Sequence, residues 1–198
     1  RKRMTSRAAK RAVGLALAGG GPLGGIYEVG ALIALADSLD GIDVNDLDVY
    51  VGVSSIEEVT GSRPTYQCCT FRGSVVALKV ETGAQIWKAY TIPEAPHPTK
   101  SNAIGTQLFG PAGASVWSAP TIDVSRKALY VATSNSYSDP ATSTSDAILA
   151  FDLATGRMLW HRQATAKDSF LVSCFSASRT NCPENHGPDH DFAQSPIL

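Results

Sequence analysis

The chain has 198 residues, a net charge of -1, and a composition that is 43% hydrophobic and 18% charged. That length accommodates one or two domains with a sizeable core, and the near-neutral balance offers no electrostatic footprint for nucleic acid. No apolar run approaches the roughly 20 residues needed to span a bilayer as a helix, so no transmembrane segment is expected.

The positive charge is concentrated at the start. Arg1, Lys2, Arg3, Arg7, Lys10 and Arg11 all precede the first acid, Glu28, and residues 1–11 read as a solvated basic tail. The apolar run that follows, 13–18, is short and ends in Gly19-Gly20-Gly21 with no small-residue cleavage site. It does not read as a secretory signal.

Residues 12–58 have an α/β style. A strand over 13–18 leads into a glycine loop at 19–25, and Val29, Leu32, Ile33 and Leu35 then recur at helical spacing. After the Asp40-Gly41 turn signal, 47–53 is a second buried-type strand. A strand–loop–helix–strand unit of this kind places its two strands side by side and parallel.

From residue 59 to 198 the style becomes all-β, with short strands rich in Val, Ile, Tyr and Trp between Gly, Pro, Ser and Asp. Strands are expected over 66–71, 75–80, 85–90, 118–123, 128–133, 147–153, 158–162 and 193–198. An internal repeat supports the change. Ala77, Thr82, Gly83 and Trp87 align without gaps on Ala150, Thr155, Gly156 and Trp160. Each copy is a strand, a tight turn closed by glycine, and a second strand whose Trp can pack between sheets. Units of this type stack because no single sheet buries its own apolar face. The fold class expected is mainly β: a partial β-propeller of about two blades, preceded by the short α/β unit.

All four cysteines, Cys68, Cys69, Cys174 and Cys182, lie in the second part. An even count suits an oxidising compartment. Cys174 and Cys182 suit a disulfide clamping a loop. A cation site from Cys182, His186, His190 and Cys174 is the alternative, although its spacing matches no standard zinc motif. Adjacent Cys68 and Cys69 are compatible either with a vicinal disulfide or with two small buried hydrophobes on opposite faces of a strand.

The repeat pattern Ala150, Asp152, Thr155, Gly156, Trp160 resembles that of quinoprotein alcohol dehydrogenases. The stretches 113–123, 128–135 and 187–198 look most like the polyvinyl-alcohol dehydrogenases among them, and the resemblance covers about residues 65–198. It implies a periplasmic enzyme that oxidises an alcohol or alcohol polymer with pyrroloquinoline quinone and a calcium or magnesium ion. Residue by residue, Trp117 matches the tryptophan on which the quinone lies, a role its flat face suits. The alternative is an ordinary inter-blade Trp. Asn135 matches an oxygen ligand of the cation, and otherwise reads as a turn residue. Asp191 matches the catalytic aspartate, which takes the alcohol proton and adjoins the cation. The family's glutamate ligand falls near Cys68, where no carboxylate stands. No Cys-x-x-Cys-His is present, so no attached haem is expected. Because such enzymes need about eight blades, the missing blades or an electron acceptor are the partners implied.

The glycine loop with Gly52, Ser54 and Ser55 resembles patatin-like phospholipases. There Gly20 and Gly21 match the oxyanion loop and Ser54 the nucleophile of a Gly-x-Ser-x-Gly elbow. Ile56 replaces the last glycine, and the downstream Asp-Gly segment is missing. A serine without its activating partner is a weak nucleophile. Three readings therefore stand: a fragment of a quinone-dependent alcohol dehydrogenase, a truncated lipid acyl hydrolase, and a non-catalytic scaffold or chimeric reading frame. Whether the chain is an enzyme stays open here. Without the family resemblance the compartment would read as cytoplasmic.

Overall fold

In the computed structural model, the described residues are 48–79 and 82–198, together with the backbone of Gly14–Leu17. The basic tail, the expected helix and the glycine loop with Gly20 and Gly21 lie outside them.

Two four-stranded sheets carry the fold. The first joins β1 (Gly14–Leu17), β2 (Asp48–Val53), β3 (Ser74–Lys79) and β4 (Gln85–Tyr90) in that spatial order. β1 and β2 run parallel from Gly14 opposite Asp48 to Leu17 opposite Val51, as the α/β reading expected. β2 also pairs antiparallel with β3 along its whole length. The boundary expected at residue 58 therefore has to be corrected, since 48–53 and 74–90 belong to one hydrogen-bonded sheet.

A two-stranded ribbon follows, β5 (His97–Ser101) with β6 (Gln107–Gly110). The second sheet is an antiparallel meander of β7 (Thr121–Asp123), β8 (Ala128–Ala132), β9 (Ala147–Asp152) and β10 (Met158–Gln163). The repeat is now visible as geometry. Ala77 stands opposite Trp87 in one sheet and Ala150 opposite Trp160 in the other. A register irregularity adjoins the pair in both.

The sheets pack face to face. Tyr50, Val75, Ala77 and Trp87 meet Leu129, Val131, Leu149 and Phe151 in one buried cluster. The Trp87 indole N–H and the Tyr50 hydroxyl both donate to the Leu153 carbonyl, at 3.2 and 3.4 Å. Gly156 lies beneath the indole: a Cβ there would come 2.5 Å from the Trp87 ring, and its φ of +70° independently favours glycine. This is how one blade seats on the next.

A second cluster joins Cys68, Cys69, Leu108, Tyr137, Phe170 and Leu171. Isolated bridges link Arg72 to Gly113, Gly113 to Ser136, and Ser136 to Ser169, tying the inner ends of both blades together.

Three strand expectations need correction. Residues 66–71 form a loop, because their backbone donors are claimed elsewhere. Thr70 and Phe71 N–H groups donate to the buried Glu57 carboxylate at 2.9 and 2.7 Å, and Cys69 N–H donates to Phe109 O at 3.0 Å. Residues 193–198 form no strand, having no partner edge among the described residues. The strand expected over 118–123 begins only at Thr121, after Pro120, which has no N–H to give. β5 and β6 were not foreseen; β5 is exposed throughout and carries Pro98, so no apolar alternation marks it.

Candidate functional site

The inner ends of the blades bring together residues far apart in the sequence. The run before β7 and the run after β8 lie side by side: Ala114 N–H donates to Asn135 O at 2.8 Å, and Ser134 N–H to Ser115 O at 3.0 Å. The segment after β10 closes the other side, with Phe170 N–H donating to Ser136 O at 2.8 Å. Asn135 is therefore held from both sides and is fully buried.

Its side chain is only half satisfied. The Asn135 amide nitrogen donates to Ser136 O and Phe170 O, each at 3.1 Å, while Oδ1 is buried with no hydrogen-bond partner. A buried, unpartnered acceptor costs stability unless something fills it. The backbone N–H of Asn135 donates to Asp191 Oδ1 at 3.3 Å. Two of the residues expected at the cation are thus adjacent. Trp117, on the run beside Ser134, is half-buried, and its indole N–H is also buried and unpartnered.

Carboxylates crowd this end of the fold. Burial first, then Asp189 and Asp168, push Asp191 up to about 6 against the pull of the Asn135 N–H. Glu58 is pushed up to about 7 by burial and then by Asp191 and Asp189. Asp146 is fully buried with both carboxylate oxygens unpartnered, and burial, then Asp168 and Asp191, push it up to about 8. Asp168 is anchored instead, accepting the N–H groups of Asp189 and His190 at 3.1 and 2.8 Å.

Sequence reasoning missed Glu58 and Asp146. Glu58 lies on the single-turn helix α1 (Glu57–Thr60), in a stretch read as the passage between two sequence styles. No motif marks it; only the fold sets it near Asp191.

The fit to a cation is partial. Asn135 Oδ1 and the Asp191 carboxylate are oxygen donors of the type calcium and magnesium take, but calcium uses about 6–8 of them. No group of three or more His, Cys, Asp or Glu side chains is poised as a cation site among the described residues. The alternative site using cysteine thiolates is ruled out differently: Cys174 and Cys182 are joined, with S–S 2.09 Å and Cα–Cα 5.1 Å. Cys68 and Cys69 are bonded to each other as a vicinal disulfide. Its sulfurs sit in the second apolar cluster.

Ser54 stands apart from all of this. It is exposed at the end of β2, and no Asp or His is hydrogen-bonded to it among the described residues. The chain behind it makes one helical turn and not the long helix that a nucleophile elbow requires. The helix, like every described one, is too short to cross a membrane.

Two curated relatives and one solved structure are similar to this chain. A polyvinylalcohol dehydrogenase from a Pseudomonas species is 44% identical over 150 residues, covering 76% of this chain and 23% of the relative. One from Sphingopyxis sp. (strain 113P3) is 41% identical over 154 residues, covering 77% of this chain and 24% of the relative. The chain thus spans about a quarter of the length of these relatives. A solved quinohemoprotein alcohol dehydrogenase from Pseudomonas putida HK5 is similar at 23% identity, with TM-score 0.44 over 62% of this chain and 19% of that one. The patatin-like resemblance of 12–56 is not reflected in these matches. The family model for the PQQ-type β-propeller domain of glucose, ethanol and alcohol dehydrogenases matches residues 48–171, beginning at the first residue of β2, and the chain belongs to that family.

Proposed function

We propose that this chain forms part of the catalytic propeller of a quinone-dependent dehydrogenase acting on a secondary-alcohol polymer such as polyvinyl alcohol. The observation that carries the reading is a buried, unpartnered Asn135 Oδ1 on a residue whose backbone N–H also holds the Asp191 carboxylate.

In this reading Asn135 and Asp191 hold a calcium or magnesium ion, and Glu58 adds a third oxygen ligand. The quinone, when bound, supplies a two-electron oxidant able to accept hydride from the alcohol carbon. Asp191 takes the hydroxyl proton. Without the cation, burial and the neighbouring Asp189 and Asp168 push Asp191 up to about 6, and a bound cation would offset that push and favour the ionised form that a base requires. The N–H of Asn135 fixes the Asp191 carboxylate in place, so the base is oriented before substrate arrives. Trp117 offers an indole face for stacking. The two disulfides fit an oxidising, periplasm-like compartment.

The test is a titration of the protein with pyrroloquinoline quinone in the presence of calcium, followed by tryptophan fluorescence and dye-coupled oxidation of polyvinyl alcohol. Saturable quenching that Trp117→Ala abolishes supports the reading. Asp191→Asn should lower turnover by at least about 100-fold, the usual scale of general-base catalysis. Absence of quenching in folded wild-type protein would overturn it.

A further inference from the structure

Three cavities follow one another along the β5–β6 ribbon. The first, of about 530 Å³, opens between the blades, with Ile92, Pro93 and Glu94 on one side and residues 139–144, Met158 and His161 on the other. The second, of about 350 Å³, shares Thr99 and Asp139 with the first and adds Cys68, Leu108, Tyr137 and Asn185. The third, of about 400 Å³, shares Lys100, Leu108, Asn181 and Glu184 with the second and no residue with the first. Walls shared in that order place the three end to end, a shape that suits a chain-like ligand.

The walls are held by the fold. Arg72 donates to the carbonyls of Ile92, Pro93 and Glu94 at 3.0, 3.1 and 3.1 Å. The Gln163 side-chain amide donates to Thr142 O and Ser145 O at 2.8 and 3.1 Å. The Cys174–Cys182 disulfide anchors the 181–185 wall. A groove fixed in this way spares a ligand the cost of ordering it.

The lining mixes two characters. Ile92, Pro93, Pro111, Pro140 and Met158 give the first cavity apolar surface, and Thr142, Ser143 and His161 stand among them. Leu108, Phe109 and Tyr137 do the same beside Ser138 and Asn185 in the second. Charge nearly cancels along the groove, Lys100 and Arg179 standing against Glu94, Asp139 and Glu184. Lys100 pairs with Glu184 at 2.5 Å, and His97 meets Glu94 at 3.2 Å. A charged polymer finds no one-signed field here. An uncharged chain of alternating methylene and hydroxyl-bearing carbons finds both apolar contact and hydrogen-bonding groups. The middle cavity also adjoins the candidate site: burial, then Glu58 and Asp191, hold the Tyr137 phenol above its usual range against the Ser115 hydrogen bond.

We infer that this groove binds a run of the secondary-alcohol polymer away from the reacting carbon, keeping one polymer chain on the protein while its hydroxyls reach the candidate site. The inference takes its polymer from the proposed function but needs neither quinone nor cation.

The experiment is equilibrium binding of fluorescently labelled polyvinyl alcohol to the purified chain without quinone or calcium, with pentanediol and polyacrylate as competitors. Binding should saturate and resist polyacrylate, and the diol should compete only at concentrations at least about 100-fold higher, because it spans too little of the groove to gain from linked contacts. Ser143→Trp and Asn185→Trp replace exposed residues and fill the first and second cavities. Each should weaken polymer binding at least about 10-fold with unchanged circular dichroism, whereas Asp191→Asn should leave it as in wild type. No saturable binding, displacement by polyacrylate, or binding that survives either Trp substitution overturns the inference. Quinone binding and isopropanol oxidation by a chain that does not retain the polymer would overturn the groove alone. Polymer binding without quinone binding would overturn the dehydrogenase reading and leave the groove standing.

Discussion

Glu57 and Glu58 are neighbours in the chain with opposite fates. Glu57 is buried and satisfied, accepting from Tyr66, Thr70 and Phe71, and it shapes the loop that carries the vicinal disulfide. Glu58 faces other carboxylates without a compensating donor, and with Asp146 and Asp191 it is held above its usual range. Nothing in the dipeptide distinguishes the two. A raised folded-state pKa means that the folded protein binds the proton more tightly than the unfolded chain does. That contribution is complete below about pH 4 and is lost as pH rises through about 6, 7 and 8, where these groups ionise. The melting temperature of the metal-free protein should accordingly fall between pH 4 and pH 8. Asp146→Asn should flatten the upper part of this fall and raise stability at pH 8 by about 1–3 kcal/mol. A melting temperature that climbs over the same range would refute the assignment.

At the scale of elements, the blade seam is the feature most legible in the sequence. The repeat of Ala, Thr-Gly and Trp located β3–β4 and β9–β10, because alternation and a glycine turn are local properties of the chain. β5 and β6 escaped notice because the ribbon is fixed by neighbours and not by its own pattern. The loop at 66–71 was misread for the same reason: Cys68, Cys69 and Phe71 look strand-like until Glu57 takes the backbone donors. Trp87→Ala should cost about 3–5 kcal/mol in urea unfolding, since a large buried ring and its hydrogen bond are both lost. Gly156→Ala should destabilise by at least about 1 kcal/mol through backbone strain and collision with the Trp87 ring. Were either variant neutral, the seam would not be what holds the blades together. Replacing Cys174 and Cys182 with serine frees a loop with a sequence separation of 8. That should lower stability by about 2–3 kcal/mol, measured against wild type without reductant.

For the whole molecule, the site is assembled from α1, the run before β7, the run after β8, and the 187–191 segment. These pieces lie up to about 130 residues apart in the chain. The family resemblance singled out Asn135 and Asp191 in the sequence, and the fold places one beside the other. Glu58 carries no such mark, because its proximity to Asp191 exists only in the fold. The same step sets Ser54 at the end of a blade strand, with no Asp or His bonded to it among the described residues.

Calcium binding to the folded chain tests the central claim most directly. Calorimetric titration at pH 8 should show one saturable site, a rise in melting temperature, and loss of both with Asn135→Ala or Asp191→Asn. A folded wild-type protein that binds no calcium, or one whose binding survives both substitutions, would contradict the account.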